Sequence, residues 1–302
     1  MSNDAFTRIL PTARPEFLIL TPCCLSLATA YAIAEKILVS YLNLLLIFIG
    51  ALAAHISVNM LNEYQDFTSD LDFHTQRTPF SGGSGTLVRF PELAKSVEKA
   101  GLTGLLITVS IGFYLLWSSG PGLIPVGLIG IFLVYFYTSK ITHSPVLCLI
   151  APGLGFGPLM INGAYFVLSG HYSLAVFSAS LIVFFLVNNL LLLNQFPDLE
   201  ADKIAGRYHM PISIGRKKSA WIYAGFSAAA YAVLLLCVSV SFLPIYSLLG
   251  LLSLTLAVPA ATMAVRYADD VGRLKTAMAL NVAITLMTPV LVAGGLILQR
   301  LL

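Results

Sequence analysis

Two short stretches of the chain carry oxygen side chains at a spacing suited to divalent metal ions. Asn62, Asp66 and Asp70 fall at every fourth residue of NEYQDFTSD, and Asn194, Asp198 and Asp202 repeat that spacing 132 residues later. On a helix, side chains at i, i+4 and i+8 run along one face, so each triad predicts a row of oxygens. Stacked like charges repel unless cations sit between them. Rows with neither His nor Cys suit Mg²⁺, with Mn²⁺ as the alternative. Mg²⁺ usually takes one or two carboxylates and completes its shell from water and phosphate. Two facing rows therefore predict two or more ions clamping a diphosphate. The expected metal ligands are Asn62, Asp66, Asp70, Asn194, Asp198 and Asp202, and the four aspartates are the expected catalytic groups.

Basic residues follow each row. Arg77 in RTPFSGGSG and Lys203 and Arg207 in ADKIAGR are placed to neutralise the remaining phosphate charge. Lys140, after YFYTS, reads either as a phosphate contact or as an interfacial anchor. Gly82, Gly83 and Gly85 would let the backbone approach closely or hinge over the site. Asp72 stands beside the first row, while Glu63 and Glu200 fall off the rows and read as exposed or structural.

The elements that must hold these rows are membrane helices. The 302 residues are 58% hydrophobic and only 10% charged, with mean hydropathy +0.87; a soluble domain carries about 25% charged residues. The apolar runs are about 20 residues long and continuous, which excludes the alternation of barrel strands. Nine spans are predicted, over 16–34, 40–62, 100–118, 121–138, 146–168, 173–195, 219–241, 245–264 and 276–298. Both acid rows then sit at span ends, the second and the sixth. The repetition predicts two related four-helix halves with a ninth helix added, and a site between them. Pro197 interrupts the second row and predicts a kink or break before Asp198. Cys23, Cys24, Cys148 and Cys237 lie in apolar runs without metal spacing and read as small buried hydrophobes.

Charge sets the expected orientation. With the N-terminus inside, all of the 17 Lys and Arg except Lys36 and Arg300 fall on inner segments, as the positive-inside rule requires. The chain is thus expected to be a single domain over 1–302 of an inner (cytoplasmic) membrane, with both acid rows cytoplasmic and the C-terminus outside. No removable leader is expected, since MSNDAFTRILPTARPEF lacks a compact apolar core with a cleavage site. A pI near 8.6 without a basic stripe excludes a nucleic-acid partner.

Asn62-x3-Asp66-x3-Asp70 and Asp198-x3-Asp202, with Asn194 four residues upstream, resemble the two signatures of the UbiA superfamily of intramembrane prenyltransferases. Arg14-Pro15 before the first span adds to the likeness. The resemblance implies an all-α bundle of nine helices around a central cavity. There a polyprenyl diphosphate would bind with Mg²⁺ at its head and its tail toward the lipid bilayer, and would alkylate an aromatic acceptor. Ionisation of the allylic C–O bond would leave a carbocation, shielded by aromatic faces such as those of Tyr64, Tyr135 and Tyr137 and protected from water by the membrane bundle.

RTPFSGGSG and GFGPLMINGAYFVLSGHYS resemble the branch that prenylates 1,4-dihydroxy-2-naphthoate on the way to menaquinone. That branch has an acid shortly after Gly153-Leu154-Gly155, where this chain has Phe156. KITHSP at 140–145 is similar to the 4-hydroxybenzoate branch of ubiquinone synthesis. A cation-coupled transporter is the reading from another class. Transporters keep their acids near the midplane, whereas these lie at one edge beside Arg-bearing loops.

Overall fold

The computed structural model describes residues 7–302, and the regular elements in them are all helical. Residues 1–6, on which part of the expectation about a leader rests, lie outside the described residues. Eight helices are long and apolar enough to cross a membrane: α1 Pro15–Ala34, α2 Tyr41–Thr68, α3 Pro91–Ser119, α5 Pro145–Ser169, α6 Leu174–Ile204, α7 Arg216–Ser239, α8 Ile245–Arg266 and α9 Val271–Leu301. Between α3 and α5 lies a shorter apolar helix, α4 Pro121–Phe136, where the sequence predicts a span over 121–138. At about 1.5 Å per residue it reaches roughly 24 Å, less than the ~30 Å hydrocarbon core. Among the described residues, nine expected spans are thus eight of full length and one short helix. The protein is a multi-pass membrane protein. Leu106, Phe113 and Trp117 on α3, Leu128 and Phe132 on α4 and Leu236 on α7 are exposed, which suits lipid contact.

The central helix is α6. Its most apolar window is 67% buried, against 17% for the peripheral α3. It packs on α5, α7 and α9. Small residues let α5 come close: a Cβ at Gly153 would lie 2.2 Å from the Phe184 carbonyl oxygen, and one at Gly157 would lie 2.8 Å from that of Ser180. This is the spacing by which small residues bring membrane helices together. The Gly153 amide also donates to Asn188 Oδ1 at 2.6 Å. Polar groups tie α6 to the far side of the bundle. Asn189 Nδ2 donates to the Tyr223 carbonyl on α7, and Asn281 Nδ2 on α9 donates to the Asn189 carbonyl.

The two acid rows end differently from expectation. Pro197 removes the amide that would bond the Leu193 carbonyl, yet α6 continues as helix through it to Ile204. Asn194, Asp198 and Asp202 therefore share one uninterrupted helix. The first row is the one that breaks. Helix α2 stops at Thr68, and Asp70 follows in the left-handed region at φ 60°. Thr68 Oγ1 and Ser69 Oγ bond back to the Gln65 and Asp66 carbonyls at 3.1 and 3.2 Å. Side chains of this kind offer the backbone an alternative to helix, and Asp tolerates the left-handed turn. A short helix, Leu71–His74, then runs on in a new direction.

Candidate active site

The C-terminal ends of α2 and α6 face one pocket of about 100 Å³. Asn62 and Asp66 enter it from α2, Asp72 from the short helix beyond, and Asn194, Asp198 and Asp202 from α6. Five of the six expected metal ligands are thus brought together. Asp70 is exposed and does not line the pocket; the turn after α2 puts Asp72, only 3% exposed, there instead.

Arg207 joins the two rows. Its guanidinium donates to the Asp66 carboxylate and, through Nη1 at 2.9 Å, to Asp202 Oδ1. Burial alone would make it easier to deprotonate, but the Asp66 and Asp202 charges outweigh burial and hold it above the usual guanidinium range. The second oxygen of Asp202 meets His209 Nε2 at 2.9 Å. Ser81 Oγ donates to Asp198 Oδ1 at 3.2 Å. Burial, followed by the charges of Asp66 and Glu63, pushes Asp72 up to about 7.

The other expected phosphate contacts turn away. Arg77, Lys140 and Lys203 are exposed and line no part of the pocket. Arg77 Nη2 donates to the Asp72 backbone carbonyl at 3.3 Å, and Lys203 ends in the last turn of α6, where a cation complements the helix dipole. Arg14 does line the pocket and donates to Asn62 Oδ1 at 3.3 Å. Its sequence signal is an arginine immediately before the proline that opens the first span. His209 also lines the pocket with a buried, unpartnered Nδ1; a histidine seven residues after an acid of the row was its only signal.

Glu63 is neither exposed nor part of the row. It is fully buried and accepts the Ser84 amide at 3.0 Å, together with the Ser84 hydroxyl. This pins the loop that carries Phe80, Ser81, Gly82 and Gly83 over the pocket. Gly83, at φ 69°, approaches so closely that a Cβ would lie 3.1 Å from Glu63 Oε2 and 3.2 Å from Asp72 Oδ1. The expected close approach of this glycine run is present. Among the aromatic candidates, Tyr137 lines the pocket, while Tyr135 is exposed and Tyr64 faces Lys95 Nζ at 3.0 Å.

Among the described residues, no three His, Cys, Asp or Glu side chains are grouped closely enough to hold a metal ion by themselves. The donor set suits an open site. Asp72 Oδ2 and Asn194 Oδ1 are buried oxygens without hydrogen-bond partners, and Mg²⁺ needs only one or two carboxylates besides water and phosphate.

The pocket adjoins a larger apolar chamber of about 660 Å³, walled by α1 to α6. Arg14, Asn62, Phe80, Tyr137, Leu191 and Asn194 border both spaces. A charged head group and a long apolar tail would fit such a pair of compartments.

Comparison with known proteins agrees with this architecture. A UbiA homolog from Aeropyrum pernix K1 superposes with a TM-score of 0.69 at 18% identity, over 92% of this chain and 97% of that one. A UbiA homolog from Archaeoglobus fulgidus, solved bound to GPP and Mg²⁺, superposes at 0.62 with 14% identity, over 95% and 99%. A 1,4-dihydroxy-2-naphthoate octaprenyltransferase of Bacillus subtilis (strain 168) is 28% identical over 196 residues, 64% of this chain and 61% of that relative. The sequence model of the UbiA prenyltransferase family matches residues 20–285, and the chain belongs to that family.

Proposed function

We propose that the protein transfers a polyprenyl group from a polyprenyl diphosphate to an aromatic acceptor, 1,4-dihydroxy-2-naphthoate, in menaquinone synthesis. The observation that carries this reading is the adjacency of the two compartments: a polar pocket of acids and two arginines shares part of its wall with an apolar chamber. The acceptor is supported by the name of the Bacillus subtilis relative, of which the match covers 61%.

Asn62, Asp66, Asp72, Asn194, Asp198 and Asp202 are the residues to hold Mg²⁺. When bound, Mg²⁺ supplies positive charge against the diphosphate as the allylic C–O bond breaks. Arg14 and Arg207 bind the diphosphate oxygens and meet the charge that develops there. Asn62 and Asn194, at the junction, orient the head so that C1 of the prenyl group enters the chamber. Tyr137 offers a ring to the allylic cation. The loop held by Glu63 and the apolar wall exclude water, which would otherwise capture the cation. The acceptor carbon then bonds to C1, and its proton or carboxylate leaves. Both acid-rich helix ends lie on one side of the bundle, and with the Lys and Arg bias this side is the cytoplasmic one.

The test is product formation by purified protein in detergent with Mg²⁺, farnesyl diphosphate and 1,4-dihydroxy-2-naphthoate, 4-hydroxybenzoate or no acceptor. Prenylated naphthoquinol from the first mixture alone is expected. Product only with 4-hydroxybenzoate would move the acceptor, and no product with any would count against the transferase reading.

A further inference from the structure

The apolar chamber contains one titratable side chain that is not shared with the polar pocket, His55. It lies on the face of α2 that also carries Asn59, Asn62 and Asp66, at i, i+4, i+7 and i+11. Two helical turns separate it from Asn62, about 10 Å along the axis. It is 7% exposed, and its ring packs roughly perpendicular to that of Phe156, 4.8 Å between centroids. Phe156 stands on a π-helical turn of α5, Gly155–Leu159, a local widening often found at functional sites.

The hydrogen bonds of His55 leave one nitrogen for the chamber. Nδ1 lies 2.9 Å from the Thr21 hydroxyl, which is fully buried. A buried hydroxyl proton needs an acceptor, and Nδ1 is the one beside it, so Thr21 donates and Nδ1 accepts. The ring proton of neutral His55 then resides on Nε2, which makes Nε2 a donor. Of the other side chains that line the chamber but not the polar pocket, Asn59 Nδ2 donates to the Ala13 carbonyl at 2.9 Å, and Thr108 Oγ1 to the Gly50 and Gly104 carbonyls at 3.2 and 3.0 Å; the unpartnered Arg14 Nε lies at the junction with the polar pocket.

A donor in an apolar wall is costly unless a ligand oxygen meets it. A prenyl tail has no oxygen. Resting on the transferase reading above, we infer that His55 donates from Nε2 to a carboxylate on the aromatic acceptor and so selects acceptors that carry one. Phe156, packed roughly perpendicular to the imidazole, supplies apolar surface beside that donor for the acceptor ring. Thr21 fixes the tautomer and holds the imidazole in place.

The experiment compares the wild type with His55→Phe, which keeps the ring and its packing, and His55→Gln, which restores a side-chain N–H donor. Steady-state rates are measured with farnesyl diphosphate and either 1,4-dihydroxy-2-naphthoate or 1,4-naphthalenediol, which lacks the carboxylate. His55→Phe is expected to raise KM for the naphthoate about ten- to a hundredfold, the factor for losing a hydrogen bond to a charged group. KM for farnesyl diphosphate and turnover of the naphthalenediol should stay within about twofold, and His55→Gln should recover most of the naphthoate affinity. Equal losses on both acceptors, a shift in the farnesyl diphosphate KM instead, or no change would overturn the assignment. If His55→Phe does not fold, His55→Asn, whose shorter amide withdraws the donor, takes its place with the same outcomes. A wild type that releases no diphosphate with either acceptor would overturn the transferase reading itself, a result separable from an unaltered His55 variant.

Discussion

Arg207 lies just beyond α6, 141 residues from Asp66 on α2, and its guanidinium donates to the Asp66 carboxylate. That contact, with the one to Asp202, ties the ends of the two helices together across the pocket. Removing one member of a buried ion pair costs about 3–5 kcal/mol, because the remaining charge is left uncompensated. In EDTA, Arg207→Ala is expected to lower Tm by several degrees. Mg²⁺ should recover much of that loss, because another cation then meets Asp66 and Asp202. Turnover should stay low in both conditions, since the contact proposed between Arg207 and the diphosphate would be lost. Differential scanning fluorimetry with and without Mg²⁺ checks this, and a Tm loss indifferent to Mg²⁺ would contradict it.

Asp72 carries an unpartnered buried oxygen and is pushed up to about 7 by burial and by Asp66 and Glu63. A carboxyl raised on folding binds its proton more tightly in the folded state. Its destabilising charge is therefore absent below about pH 4, grows between pH 4 and 7, and is complete above pH 7. In EDTA, Asp72→Asn should raise stability by a few kcal/mol at pH 8 and by nothing measurable at pH 4. The same substitution should weaken the stabilisation that Mg²⁺ gives. An equal gain at both pH values would show that charge is not the cause.

Asp70 and Asp72 are two residues apart, but the left-handed turn at Asp70 leaves the first in solvent and buries the second. Asp72→Ala is expected to lower kcat/KM by about 10²-fold or more, the scale of losing a group that stabilises the transition state. Asp70→Ala should stay within about threefold. The reverse order would mean that the ladder of Asn62, Asp66 and Asp70 closes on the substrate as one continuous helix face.

Gly153 and Gly225 provide a packing test. A Cβ at Gly153 would strike the Phe184 carbonyl oxygen, whereas one at Gly225 meets nothing within 4 Å. Gly153→Ala should destabilise by about 1–3 kcal/mol, the range for overpacking. Gly225→Ala should be neutral or slightly stabilising. Thermal unfolding in detergent reads both, and equal effects would refute the close α5–α6 contact.

Much of this architecture is legible in the sequence, for physical reasons that differ by residue. Span length and hydropathy follow from the thickness of hydrocarbon, so α2, α6 and the rest can be placed before any contact is known. The gathering of Asn62, Asp66, Asn194, Asp198 and Asp202 follows from helix period and repetition. What periodicity does not encode is where a helix yields to its own side chains. Thr68, Ser69 and Asp70 end α2 through local bonds, and that moves Asp70 out and Asp72 in. Pro197, by contrast, does not end α6, which runs on as helix to Ile204. Lys203, Arg77 and Lys140 show that a basic residue near an acid row need not turn toward it. Arg14 reaches the site from the chain before α1, a tertiary contact that no spacing reveals. Glu63 is off the row, as its spacing implies, and of the exposed and structural readings the structure has the second: the loop bearing Ser84 folds back onto it.

The most direct measurement is the affinity of farnesyl thiolodiphosphate, a poorly ionising analogue, for the purified protein by calorimetry at rising Mg²⁺. Binding should require Mg²⁺ and fall by at least about tenfold in both Asp66→Asn and Asp198→Asn, because each helix end contributes to holding the ions. Binding of undiminished strength in EDTA, or in both variants with Mg²⁺ present, would contradict a diphosphate head held by metal between α2 and α6.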